Sequence, residues 1–322
     1  MTNFKYILFI ILLSACNKQE TAPCDYISDY YPLIYEAEYE YWSENYEKSF
    51  GLYQEAFKNC EPKNTPFFNE LSKIAELAAR LNKKDLAIEF IEKAIQDGGN
   101  IQTFIDDTIY DDVLATEKGN ALISNYDQLR ETYLETIDIE LRNEIQAMMQ
   151  KDQFYRGNHE RYKENSNKQD SIDDVNTARL IAIFEEIGYP DDQIVGHMNI
   201  DFVPTDISGI LLHTEDSIRM NYFVPKLKEF ISQGKAEPRI LGNIIDQYHL
   251  YNDKPQIYGT YQSQDTYYAS MIENRELINK NRLSIGLPTL ELNEKLDSIK
   301  CVKRPHIMPQ SCEKLFKYLS KN

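Results

Sequence analysis

The chain has 322 residues, 42% of them hydrophobic, with 12 Gly and 12 Pro. That composition excludes collagen-like and low-complexity disordered classes and leaves room for two domains with ordinary cores. Acidic residues outnumber basic ones by 52 to 35, a formal net charge of −17; such a surface repels nucleic-acid phosphates, so no nucleic-acid partner is expected.

At the N-terminus Lys5 precedes an apolar run, Tyr6 to Leu13, too short to cross a bilayer as a helix. Leu13-Ser14-Ala15-Cys16 resembles the bacterial lipobox. Small side chains at 14 and 15 suit a signal-peptidase groove, and the Cys16 thiol is the lipidation point. The competing readings are an ordinary signal peptide or a short anchor. The lipobox reading predicts a signal peptide over 1–15 and a polar tether over 16–32. It also predicts membrane attachment through Cys16, worth ~0.8 kcal/mol per buried CH2, and a place in the bacterial cell envelope. The outer membrane is expected, with either face open. Asn17-Lys18-Gln19-Glu20 loosely resembles a surface-export tetrapeptide of some lipoproteins, and a plain polar tether fits it as well.

Removing Cys16 leaves Cys24, Cys60, Cys301 and Cys312. An even remainder in an exported chain suggests disulfides. The economical pairing is Cys24 with Cys60 and Cys301 with Cys312; the other two pairings would tie the termini together. No C-x2-C spacing suggests zinc.

From residue 33 onward, Ala37, Tyr41, Trp42, Tyr46, Phe50, Tyr53, Ala56 and Phe57 recur at helical spacing. A turn at 60–66 leads to helices over 67–81 and 84–95. The run 46–57 echoes 84–95 at an offset of about 38 residues, within the range of helix-pair repeats. The pattern resembles tetratricopeptide repeats, with Ala56 and Ala94 as the small residues that let helices approach. Two units fall short of a self-sufficient array, so they are expected to lean on the helices C-terminal to them. Short turns and a capping helix fill 101–123. A long helical pattern over 126–155 contains the domain boundary, placed at 130–131. The polar stretch 157–174 reads as a surface loop. Amphipathic helices are expected over 175–187, from Thr205 through His213, over 225–231, from Pro238 through Asp246, over 273–285 and over 291–299. The tail 304–322 reads as irregular. The fold class is mainly α: a tetratricopeptide-like domain over 33–130 and a compact helical domain over 131–303.

That second domain resembles a bacterial family designated domain of unknown function 6624, across about 140–303. The resemblance rests on ordered short motifs: Asp152-Gln153 with Arg156; Asn176; Gly188-Tyr189-Pro190 with Gly196; Leu211-Leu212-His213 with Asp216; Asp246, then Gln256-x-Tyr258-Gly259-Thr260; and Arg282 with Gly286-Leu287-Pro288. The chain departs at Gln247 and Tyr261, where the family often carries Arg and Gln. The resemblance brings no activity with it.

Within these motifs the chemistry concentrates. Asp152 and Arg156 are one helical turn apart and can pair; either they form an exposed ion pair, or Arg156 forks a carboxylate or phosphate. His213 follows three apolar residues, so it is either a satisfied core histidine or an acid–base group, with Asp216 one turn on to orient it. Asp246 sits among Ile240, Leu241, Ile244 and Ile245, where a carboxylate needs partners; Arg156, His213 and Tyr258 are the candidates. Gln256, Tyr258, Gly259 and Thr260 complete a set that is either a ligand site or a polar network fixing helix packing. No nucleophile elbow, P-loop, dinucleotide fingerprint or H-E-x-x-H occurs, and the five His are scattered, so neither metal nor cofactor is expected. The sequence therefore predicts an envelope lipoprotein that binds or scaffolds a protein, peptide or small ligand, with a protein or peptide partner at the repeats. The alternative is a hydrolase or transferase with His213 and Asp246 catalytic and Asp152, Arg156, Asn176, Gln256, Tyr258, Gly259 and Thr260 holding substrate.

Overall fold

A computed structural model describes residues 24–63, 69–262, 267–306 and 309–320; Cys16 and the expected signal peptide lie outside them. The fold is mainly α, without a strand among the described residues.

Helices α1 (Tyr26–Asp29) and α2 (Tyr31–Trp42) lead into α3 (Tyr46–Asn59), α4 (Glu70–Arg80) and α5 (Lys84–Gln96). The pairs α2/α3 and α4/α5 pack closely because Ala37, Ala56, Ala75, Ala78, Ala87 and Ala94 are fully buried at their contacts. The 38-residue echo is also a backbone echo. Glu44 and Asn82 both take positive φ, 64° and 55°. Behind them Asn45 N–H donates to Glu40 O, and Lys83 N–H to Ala78 O, at 2.9 and 2.8 Å. The same turn is thus built twice, although only Asn is at home in the left-handed region.

The expected tether ends earlier than 32. From Cys24 on the chain is folded: Cys24 is bonded to Cys60, and Tyr26, Tyr30 and Tyr31 are buried. Three aromatic rings outweigh the polar residues between them. Short helices α6 (Gln102–Ile105) and α7 (Asp111–Leu114) then lead to α8 (Glu117–Leu134), which packs on α5. The long pattern expected over 126–155 is in fact two helices, α8 and α9 (Ile139–Gln153), because Asp138 caps a new start by accepting from Leu141 N–H at 2.8 Å. The boundary placed at 130–131 falls inside α8.

The stretch 157–174, expected as a loop, is helical: α10 (His159–Glu164) and the first half of α11 (Ser166–Glu186). Its buried side is polar, with Gln169 fully enclosed, so hydrophobic periodicity could not mark it. Next come α12 (Asp192–Val195), α13 (Ser208–His213) and α14 (Asp216–Ile218). Asp206, not Thr205, starts α13 by accepting from Ser208 N–H and Oγ. A π-helical turn, Arg219–Phe223, runs into α15 (Val224–Ser232), followed by α16 (Pro238–Tyr251), α17 (Arg275–Leu283) and α18 (Leu290–Lys303).

The tail, expected to be irregular, is likewise ordered. Helix α19 (Pro309–Leu319) is stapled by Cys301–Cys312 and buries Leu315 against Tyr267, Tyr268, Ile278 and Leu290. Both disulfides follow the economical pairing. A single buried cluster runs from Tyr26 to Leu296, so both halves share one core. The two-unit array is closed at one end by α8 and at the other by α18, which packs on α2. Lys300 and Lys303 reach Glu38 and Glu44 there. The chain supplies the covers that two repeats lack.

Candidate functional site

Two buried carboxylates organise separate clusters. Asp152, in the last turn of α9, is 2% exposed. His213, at the end of α13, places Nδ1 2.9 Å and 3.0 Å from its two oxygens. An ionised carboxylate only accepts, so Nδ1 carries the proton and the lone pair lies on Nε2. The side chain is 26% exposed, and Nε2 meets no hydrogen-bonding partner among the described residues.

The carboxylate is further held by Gln153 Nε2 at 2.6 Å and Arg156 Nη1 at 3.2 Å. Arg156 also forks Asp173 of α11. Gln169 donates to Asp152 O at 3.0 Å and to Asp173 at 2.9 Å. Burial pushes the Asp152 carboxyl up, but the hydrogen bond and charge of His213, then Arg156, outweigh it and hold it below the usual carboxylate range. Asn176 donates to Met148 O at 3.2 Å, a structural duty. Asp152, Arg156 and His213 thus converge, while sequence reasoning misses Asp173 and Gln169 and gives Gln153, named in the opening motif, no role of its own. Asp173 lies 17 residues beyond Arg156, a spacing that marks nothing within one helix.

Asp246 does not join them. It is fully buried and faces the loop after α16. Oδ1 accepts from Ile257 N–H and Tyr258 N–H at 2.7 and 2.9 Å, and Oδ2 from Thr260 N–H and Oγ1 at 2.7 and 2.8 Å. On the other side Arg282, 1% exposed, donates to the carbonyls of Tyr258, Gly259 and Pro288 and to Asn293. Gln256 closes the loop by exchanging hydrogen bonds with the Tyr261 backbone at 2.9 and 3.1 Å. Gly259 sits at φ +60°, and a Cβ there would come 2.4 Å from Ile272 Cδ1. The catalytic role expected for Asp246 is therefore corrected: its acceptor positions are filled by backbone and Thr260. Gln256, Gly259 and Thr260, expected to hold a ligand, hold the loop instead. The Tyr258 side chain lines a small cavity with Ile27, Lys228, Ile231, Ser284 and Ile285.

Asp216 does not orient His213 either. It pairs with Arg219, whose guanidinium also donates to Leu212 O and to Gln247 Oε1. Gln247 in turn reaches Tyr261 OH at 3.3 Å. Gln247 and Tyr261, the two departures from the resembled pattern, thus touch each other, and an Arg at 247 would face the buried Arg219. The remaining histidines lie elsewhere. The His197 backbone N–H donates to Tyr133 OH at 2.8 Å, and His249 Nδ1 lies 3.0 Å from Pro255 O. Among the described residues, no group of three or more His, Cys, Asp or Glu is arranged to hold a metal.

A shallow cleft with an enclosed volume of about 80 Å³ lies between the repeats and the second half. The repeats contribute Pro62, Lys63 and Asp97; the second half contributes Tyr189, Asp191, Asp192, Asp206, Lys235 and Glu237, among others. Burial pushes the Asp192 carboxyl up to about 8, reinforced by Asp97, Asp191 and Glu237. Burial raises Asp191 too, against Lys63 and the backbone N–H groups of Ile194 and Gln193. The sequence does not single out this cleft, because its walls come from five separate stretches. No protein-family model, curated protein or solved structure matches this chain.

Proposed function

We propose that the protein is a lipid-anchored binding protein of the bacterial cell envelope, tethered through Cys16 and taking its ligand in the cleft between its two halves. The observation that carries this reading is the cleft itself, a concavity shared by the repeat-like region and the helical domain of the resembled family. Five carboxylates against two lysines in its walls favour a ligand with a protonated amine, which would offset the burial and, after it, the mutual repulsion that raise Asp192. The open face expected for a peptide at the repeats is narrowed, since α18 covers α2.

Two experiments test the reading. Calorimetric titration with a trilysine peptide should give saturable binding that Asp192→Lys weakens at least tenfold; equal affinity of the variant would reject the cleft. Cys16→Ser should move the protein from the membrane fraction to the soluble fraction, and an unchanged membrane fraction would reject the anchor.

A further inference from the structure

Binding gives no reason for a histidine held as His213 is held, and neither His213 nor Asp152 lines the cleft. We propose that His213 is a general base for hydrolysis of an uncharged carboxylic ester, with Asp152 as its positioning residue.

Three observations carry this. First, the two contacts to the Asp152 oxygens, 2.9 and 3.0 Å, fix both ring orientation and tautomer, so the basic lone pair sits on Nε2. Second, that nitrogen has no partner among the described residues on a side chain 26% exposed. Third, no side chain from the preceding turn of α13 covers the pair. Gly209 lies one turn earlier on α13, and a Cβ built there would meet only Asp152 Oδ2, at 3.8 Å. A buried, satisfied histidine has neither a free nitrogen nor an open approach.

The surrounding charges suit proton acceptance. In the turn after α9, Arg156 is paired with Asp173 of α11. On the turn after α13, Arg219 is paired with Asp216. Asp246 on α16 is engaged with its loop. An imidazolium formed at His213 therefore faces Asp152 as its direct counter-ion.

The same accounting sets the substrate class. Both nearby guanidiniums are committed, and the chain carries −17 overall, so an anionic phosphoester finds no free cation. The neighbouring hydroxyls point inward: Thr214 Oγ1 donates to Ile210 O, and Thr177 Oγ1 to Thr214 Oγ1, at 3.0 and 3.2 Å. The nucleophile is then water. Its oxygen bonds to the acyl carbon while its proton passes to Nε2. The tetrahedral adduct collapses, the bond from acyl carbon to alcohol oxygen breaks, and the proton on Nε2 goes to that oxygen. Acid and alcohol leave, with no cofactor consumed.

The test is hydrolysis of p-nitrophenyl acetate by the full chain in detergent. The expected rate exceeds that of free imidazole at equal concentration and rises with pH as a general base requires. His213→Ala, checked for folding by thermal unfolding, should lose roughly 100-fold or more. His249→Ala should change nothing. Wild-type turnover no faster than imidazole, or a folded His213→Ala with wild-type rate, overturns the proposal. A folded Asp152→Asn should slow turnover and shift the pH midpoint; if it leaves both unchanged, the positioning role falls. Should that variant not fold, nitrogen-15 shifts of His213 in the wild type decide, because a proton on Nε2 in place of Nδ1 contradicts the arrangement.

Discussion

Replacing Asp246 by Asn tests whether this carboxylate is a loop anchor. Asn keeps the shape but leaves one oxygen for two acceptor positions. If the oxygen stays toward Ile257 and Tyr258, the new NH2 faces Thr260 N–H, which donates at 2.7 Å, and Thr260 Oγ1 at 2.8 Å. The hydroxyl can turn to accept, but the backbone N–H cannot. One charge-assisted bond is lost outright and two others weaken from ionic to neutral acceptors. At about 1.5–3 kcal/mol for a bond to a charged group, partly offset by the amide's lower desolvation, the net loss is roughly 2–4 kcal/mol. Urea unfolding followed by far-UV circular dichroism should show a lower midpoint at an unchanged slope. The Asp152–His213 pair should be untouched, so the His213 ring resonances should stay as in the wild type. A variant within about 0.5 kcal/mol of wild type would refute the anchor, and one that moves the His213 ring resonances would refute the separation of the two clusters.

Gly259→Ala puts a Cβ 2.4 Å from Ile272 Cδ1 at φ +60°, and should cost roughly 2–4 kcal/mol from left-handed strain and overpacking, read in the same assay. Asp152 is depressed in the folded state. Its contribution is therefore fully present above the unfolded value of about 3.9 and is lost as pH falls through the lower folded value. Asp152→Asn should flatten the acid limb of a stability–pH curve, and an unchanged limb would contradict the assignment. Asp192 has the opposite sign: its folded value, about 8, lies above the unfolded one, so its penalty is present in full above pH 8 and is relieved as pH falls. Asp192→Asn should stabilise most at pH 8–9 and least near pH 4, by thermal unfolding across that range. Cys301→Ser opens a short loop and should cost about 2–3 kcal/mol, with hydrogen exchange rising first in α19.

Whether a residue's role is legible in the sequence depends on the kind of partner it has. The Asp152–Arg156 contact is legible because i, i+4 neighbours share a helix face. The repeat is legible because small and aromatic residues recur. The Asp152–His213 contact spans 61 residues, and no local pattern reports such a distance. Asp246 suggests the wrong partners because its true ones are backbone N–H groups, which every residue but proline carries; only Gly259 and the turn near Pro255 hint at them. Residues 157–174 read wrongly as a loop because their helix buries Gln169 and Asp173 contacts, and hydrophobic periodicity registers apolar faces alone. Residues 24–32 and 309–319 read wrongly as tether and tail because each is pinned by a disulfide and a few large side chains, which composition averages away.

The two carboxylates are the same chemical group in comparable burial, and their donors decide what each can do. Asp246 accepts from three backbone N–H groups and one hydroxyl. None of these titrates near neutrality or presents a further face to solvent, so the ion ends in the loop it shapes. Asp152 accepts from Gln153, Arg156 and an imidazole. The imidazole alone passes the influence of the buried charge onward: a proton fixed on one ring nitrogen leaves a lone pair on the other, at the surface. Of the donors to these two carboxylates, the one that is also a basic acceptor elsewhere is His213. The loop at 256–260 is then the frame that holds α16 and α17 in place, and the histidine proposed as a base sits on α13, 33 residues before Asp246.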